Sequence, residues 1–258
     1  MRLALCQFTI AWEDKPANLA RLSRLVKEAA SKGAALVLLP EMTLTGFSMN
    51  TKKTAEADGW SVKEFSRLAA EHKIAIGFGW AEAVGETARN HYTVVSPEGA
   101  VLSDYVKLHP FSFSGEEKYF VPGENLSSFT LGNINIATFI CYDLRFPEVF
   151  QAASGQAHLL IVAANWPAVR KAHWRALLIA RAIENQSYVA GVNCVGEIGG
   201  QTYSGNTMLV DPEGNVLHEI DGREGIIADD IDVGAVTRYR QAFPLKADRK
   251  TAFYKSIF

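Results

Sequence analysis

Cysteine is scarce in this chain of 258 residues: Cys6, Cys141 and Cys194 are widely spaced and form no CxxC pair. A disulfide framework and a structural zinc site of ordinary ligand spacing are therefore excluded, and a reducing cytoplasm is the expected compartment. Histidine pairs at helical ligand spacing are missing too. His91, His158 and His173 are scattered, so no catalytic metal is expected. There is no excess of positive charge: the formal net charge of −2 leaves no footprint for nucleic acid. No apolar stretch approaches the roughly 20 residues that span a membrane. The short run after Arg2 is broken by Gln7 and followed by Glu13 and Asp14, without a small-residue cleavage site, unlike a signal peptide. Gly77 and Gly79 start a GxG with no third glycine in register, so a dinucleotide fingerprint is absent. Without internal repeats, low-complexity segments or linkers, one domain over residues 1–258 is the simplest organisation.

What remains is an ordinary globular mixture, 48% hydrophobic and 21% charged. Largely apolar runs read as strands over 3–10, 34–39, 74–80, 135–140, 158–164 and 187–195, the more polar 89–96 and 101–106 read as a hairpin, and shorter strands fall at 207–210, 216–219 and 225–231. Apolar residues at helical spacing predict helices from Pro16 to Ala29, and over 62–72, 149–153 and 171–185, with Gly33 stopping the first. Such interleaving predicts an α/β or α+β class, and strands apolar on both faces need cover on both faces. Hairpins at Pro97 and Pro212 make the sheet mixed. The stretch 112–125 is polar and reads as a long loop of the kind that carries function.

Three of the apolar runs end in chemistry. The strand before Cys141 stops at the thiol, and a polar turn leads to Pro147 and Glu148, where a helix would begin. A cysteine there is held at the open end of a sheet, where helix N–H groups favour a thiolate and an oxyanion. Glu41 and Lys107 also stand at strand exits. If those strands are neighbours, a thiol, a carboxylate and an ammonium meet in one crevice, which supplies nucleophile, base and oxyanion partner for acyl transfer. Taken singly, each is more often a core cysteine, a solvated strand end or a surface lysine, and spacing alone does not bring them together.

The motifs Leu39-Pro40-Glu41, Lys107-Leu108-His109-Pro110-Phe111 and Cys141-Tyr142-Asp143-Leu144-Arg145-Phe146-Pro147 resemble the nitrilase (carbon–nitrogen hydrolase) superfamily. The resemblance runs through Asn165-Trp166-Pro167 to Tyr239-Arg240-Gln241-Ala242-Phe243-Pro244 and covers nearly the whole chain. Among the branches it looks most like the ω-amidases, which hydrolyse the terminal amide of 2-oxo acids. The resemblance implies a four-layer α-β-β-α sandwich and a Glu-Lys-Cys triad with neither metal nor cofactor. It makes Glu41 the general base, Lys107 the oxyanion stabiliser and Cys141 the nucleophile, with the backbone N–H of Tyr142 completing the oxyanion hole. The second glutamate that such enzymes carry after the lysine motif falls on Glu116, with Glu117 one residue away.

An ω-amidase substrate carries a carboxylate distal to the amide, and arginine suits bidentate carboxylate binding. Arg145 is the candidate, unless it pairs with Glu148 or another acid and only braces the turn. Phe47, Phe111 and Trp166 stand beside the strand ends as candidate pocket walls. His109 reads as a hydrogen-bonder at its strand exit, with a Cys–His pair as the alternative. Other readings keep the same three residues: an N-carbamoyl amine hydrolase, a true nitrilase, or a catalytically idle scaffold. The partners implied are a small amide substrate and a second copy of the chain in a homodimer, with the basic, aromatic tail over 238–258 packing across that interface.

Overall fold

The computed structural model describes residues 1–257. The chain opens with β1 (Arg2–Gln7), α1 (Lys15–Ser31) and β2 (Leu36–Leu38), then a tight turn and the short α2 (Thr51–Thr54). It continues through α3 (Trp60–His72), β3 (Ala75–Val84), β4 (Thr87–Val95) and β5 (Val101–Val106). The second half runs β6 (Ser128–Leu131), β7 (Ile134–Ile140), α4 (Pro147–Ala153), β8 (Leu159–Ala164), α5 (Lys171–Asn185) and β9 (Tyr188–Asn193). An antiparallel series follows, β10 (Val195–Ile198), β11 (Gln201–Val210) and β12 (Val216–Asp221), before β13 (Gly225–Asp230), α6 (Val233–Ala242) and α7 (Thr251–Ile257).

Local signals explain the ends of α1. The Asp14 carboxylate accepts from Ala17 N at 3.1 Å, Pro16 sits in the first turn, and Gly33 turns the chain away at φ +76°. Between them Leu22, Val26 and Ala29 bury one stripe.

The strands form two sheets. One is ordered β13-β1-β2-β3-β4-β5; the other runs β10-β11-β9-β8-β7-β6, with β12 beside β11. Each is built on three adjacent parallel strands, β1-β2-β3 and β7-β8-β9, with antiparallel neighbours outside. Helices α1 and α3 cover the first sheet, α4 and α5 cover the second, and the sheets face each other where β1 meets β9 and β11. This is the α-β-β-α sandwich. It also explains the doubly apolar strands. Leu3, Leu5, Leu36 and Leu38 enter the core between the sheets, whereas Ala4, Cys6, Val37 and Leu39 pack on the helix side.

Two hairpins escaped the sequence pattern. The loop expected over 112–125 does give way to β6, which returns through Gly132-Asn133 into β7. The strand expected over 187–195 is split, because β10 turns back into β11 at Gly199 and Gly200, both at positive φ. Both turns are two-residue glycine signals, and short half-exposed strands around them hid the alternation. The first part of the expected tail packs on its own chain. Arg240 of α6 donates to Ala157 O at 2.6 Å and to Ser187 Oγ at 2.8 Å. Phe253 and Ile257 of α7 are exposed. Phe258, the last residue of the tail, lies outside the described residues.

Candidate active site

Glu41 follows β2 on a turn that reverses against β3. Met42 takes φ +44°, and Gly79 N donates to Thr43 Oγ1 at 2.8 Å while Thr43 N donates to Gly79 O at 2.9 Å. A Cβ on Gly79 would stand 2.3 Å from Met42 N and 2.8 Å from Glu41 C. The glycine therefore serves close backbone approach rather than a nucleotide. Gly79→Ala is expected to displace the Glu41 turn and to destabilise by about 1–3 kcal/mol, the usual penalty of overpacking. Urea denaturation with an ammonia-release assay on the same sample checks it.

Lys107, two residues beyond Tyr105 and just past β5, is 1% exposed, and Glu41 and Glu116 are both at 0%. Lys107 Nζ donates to Glu41 Oε1 at 2.9 Å and to Glu116 Oε2 and Oε1 at 2.9 and 3.1 Å. The choice between the adjacent glutamates is thereby made: Glu116 points inward from a short 3₁₀ turn after Gly115, and Glu117 is exposed. Asn90 of β4 joins the two carboxylates, its Nδ2 donating to Glu41 Oε1 at 2.8 Å and to Glu116 Oε1 at 3.2 Å. Burial alone would lower the Lys107 ammonium, but Glu116 and Glu41 overcome it and hold it above the ordinary lysine range. Burial raises the Glu116 carboxyl; Lys107 opposes the rise and Glu41 adds to it.

Cys141 follows β7 directly at φ +44°, a strained conformation for a side chain with a Cβ. The 3₁₀ turn Cys141–Arg145 then hands the chain to α4, which starts at Pro147. Asp143, fully buried, pins this turn. Its carboxylate accepts from Ile140 N (3.0 Å), Tyr105 Oη (2.8 Å) and His109 N (3.0 Å), and meets His109 Nδ1 at 2.8 Å. His109 is thus a structural partner of Asp143, stacked on Phe146, and not of the thiol. From the end of β8, Asn165 donates its N–H to Glu41 Oε2 at 2.9 Å and its Nδ2 to Glu41 O at 2.6 Å, and Cys141 Sγ lies 4.0 Å from Asn165 O. The expected help of the helix start toward a thiolate is outweighed. Burial pushes the Cys141 thiol well above its usual range, Glu41 pushes the same way, and Lys107 opposes. The resting sulfur is a thiol, so an attacking thiolate requires a base.

A cavity of about 240 Å³ opens over Cys141. Phe47, Phe111, Tyr142 and Trp166 line it, with the guanidinium groups of Arg145 and Arg170. Lys107 Nζ sits 5.1 Å from the Phe47 ring centre. Arg145 lies over the Trp166 ring at 4.7 Å and reaches His173 Nδ1 at 3.4 Å; it makes no ion pair with Glu148 or any other acid among the described residues.

The model of the carbon–nitrogen hydrolase family matches residues 2–241. The chain belongs to that family. It is 33% identical to a 2-oxoglutaramate amidase of Bacillus subtilis, over 98% of both chains. It is also 33% identical to the omega-amidase YafV of Escherichia coli, over 96% of both. A CN-hydrolase superfamily protein from Xanthomonas campestris, solved with an arsenic adduct in its active site, superposes with a TM-score of 0.92 at 31% identity over 97% of both chains. Among the described residues no helix is long and apolar enough to cross a membrane, and no group of three His, Cys, Asp or Glu could hold a metal.

Within this family frame, several residues beside the cluster were given no role by the sequence, although Asp143 and Asn165 stand inside its motifs. Asn90 shares the inner face of β4 with Tyr92 and Val94, so an amide in that alternation was the available signal. Asn165 closes the all-apolar β8. Asp143 and Arg170 had no local signal, because an acid in a turn and an arginine before a helix are ordinary surface residues. Trp12, Ile198, Gln201 and Tyr203 reach the pocket through the β10–β11 hairpin and the loop after β1.

Proposed function

We propose that this chain hydrolyses the terminal amide of small 2-oxo dicarboxylic acid monoamides, such as 2-oxoglutaramate and 2-oxosuccinamate, to the acid and ammonia. The observation that carries the chemistry is the contact of Glu41 with Lys107 beside Cys141, which opens into a pocket that also holds an arginine without an acid partner. The names of the relatives carry the substrate class. The Glu41 carboxylate takes the Cys141 proton, and the thiolate attacks the amide carbon. Lys107 and the Tyr142 N–H receive the tetrahedral oxyanion. Glu41 returns the proton to the nitrogen, ammonia leaves, and a thioester remains. Water then gives a proton to Glu41 and adds to the thioester, and the departing sulfur recovers the proton as the acid is released. Glu116, with both oxygens on Nζ, holds the Lys107 ammonium in place.

Arg145 receives the substrate carboxylate. Arg145→Ala removes a charged hydrogen-bond pair and is expected to raise KM, lowering kcat/KM by about 1.5–3 kcal/mol, roughly ten- to a hundred-fold. The deciding assay is ammonia release from both 2-oxo amides beside glutamine, asparagine, an N-carbamoyl amine and a simple nitrile. Turnover of the N-carbamoyl amine or the nitrile in preference to the 2-oxo amides would overturn the substrate assignment and keep the cysteine chemistry. The exposed Phe253, Tyr254 and Ile257 support pairing of α7 with a second copy, which light scattering tests.

A further inference from the structure

We infer that Arg170 is a second substrate-positioning residue, which with Arg145 clamps the 2-oxo acid head and selects it over the 2-amino acid. The inference rests on the proposed function and names what that site reads beyond a carboxylate. Arg170 stands at the end of a 3₁₀ turn just before α5 and lines the same cavity as Cys141 and Arg145. Its structural duty is done by its backbone, whose carbonyl accepts from Trp166 Nε1 at 2.9 Å. The guanidinium makes no ion pair among the described residues. It lies over the rings of Phe111 at 5.4 Å and Phe113 at 5.2 Å, which hold it at the pocket wall.

No aspartate or glutamate lines this cavity. Two guanidinium groups therefore face one small, mostly aromatic space, and the Glu41 and Glu116 carboxylates beside it are engaged by Lys107 and are not part of the lining. Burial lowers the Arg145 guanidinium, and the charge of Arg170 adds to the lowering. Such an arrangement suits an anionic ligand. A single arginine can hold one carboxylate through a bidentate pair. The second has donors left for the oxygen next to that carboxylate, which in a 2-oxo acid is the ketone. In glutamine or asparagine the same position carries an ammonium, which would meet a guanidinium. Rejection of the amino acid thus comes from repulsion, and acceptance of the 2-oxo acid from hydrogen bonds.

The test compares 2-oxoglutaramate, glutaric acid monoamide and glutamine as substrates of the wild-type enzyme, Arg170→Ala, Arg170→Lys and Arg145→Ala. In Arg170→Ala, KM for 2-oxoglutaramate is expected to rise at least ten-fold with kcat within about three-fold. Its preference over the monoamide, which lacks the ketone, and over glutamine should shrink by a similar factor. Arg170→Lys, which keeps the charge and loses the fork, should recover rejection of glutamine and not the preference for the ketone. Unchanged substrate ratios in Arg170→Ala, with Arg145→Ala impaired, would overturn the role of Arg170 and leave the proposed function standing. A wild-type enzyme inert toward 2-oxoglutaramate would overturn both.

Discussion

Cys141→Ala is expected to abolish ammonia release and acyl-enzyme formation while leaving the fold in place. The loss should reach about 10⁵–10⁶ in turnover, the scale on which removal of a covalent nucleophile is felt. The other two thiols cannot take over. Cys6 and Cys194 are fully buried, burial pushes the Cys6 thiol up to about 12, and the Cys194 sulfur is turned onto Asn165 Oδ1 at 3.1 Å. The fold should survive, because alanine meets the same backbone strain at φ +44° as cysteine does, and the missing sulfur only enlarges an existing cavity. A stability change within about 1 kcal/mol is expected. Iodoacetamide labelling read by intact mass gives an independent check. The wild-type chain should label once and Cys141→Ala not at all, and labelling that stays equal across the three cysteines would favour the idle scaffold. Turnover retained by Cys141→Ala would mean a different nucleophile.

Much of this site is legible in the sequence because two of its reacting groups end an apolar run. A strand buried on both faces has nowhere to put a charge, so the first polar residue after it marks the sheet edge, and Glu41 after β2 and Cys141 after β7 obey that rule; Lys107 follows the half-exposed edge strand β5 and stands out only by its motif. Their convergence is not legible. It depends on β2, β5, β7 and β8 meeting across two sheets, and no spacing encodes that. The clearest gap is Asn90, an amide on the inner face of β4 that reads as a strand defect until two carboxylates are seen on its nitrogen. Glu116 and Glu117 are indistinguishable as letters; Gly115, at φ +80°, sets which of them turns inward. Arg170 is the opposite case. Its meaning lies in what is missing around it, an acid in the pocket lining, and absence in space has no counterpart in a linear pattern.

Lys107→Met should cost less turnover than loss of the thiol, but it should damage stability as well. Turnover falls with the oxyanion partner, by about 10²–10³. The larger consequence is electrostatic. Glu41 and Glu116 share this one ammonium at 2.9 Å, and without it two carboxylates remain in a place without solvent. Breaking a buried pair from one side costs about 3–5 kcal/mol, which for a chain of this size lowers Tm by roughly 6–20 °C. The pH dependence carries a sign. In the wild-type chain the Lys107 pKa is raised, so its contribution is complete below the unfolded lysine value of about 10.4 and flat across neutral pH. The Glu116 carboxyl is already raised by burial with Lys107 opposing, and in Lys107→Met that opposition is gone and the rise is larger. Its protonated form fits the buried site, so the variant gains more stability than the wild-type chain as pH falls toward the unfolded glutamate value of about 4.3. The gap between variant and wild type should therefore be widest at pH 7–8 and narrow toward pH 5. Adding Glu116→Gln removes one stranded charge and should return part of the lost Tm with no return of turnover. That split separates the ammonium's structural work from its chemical work. A variant whose Tm deficit is independent of pH would show that the carboxylates are not the source of the loss.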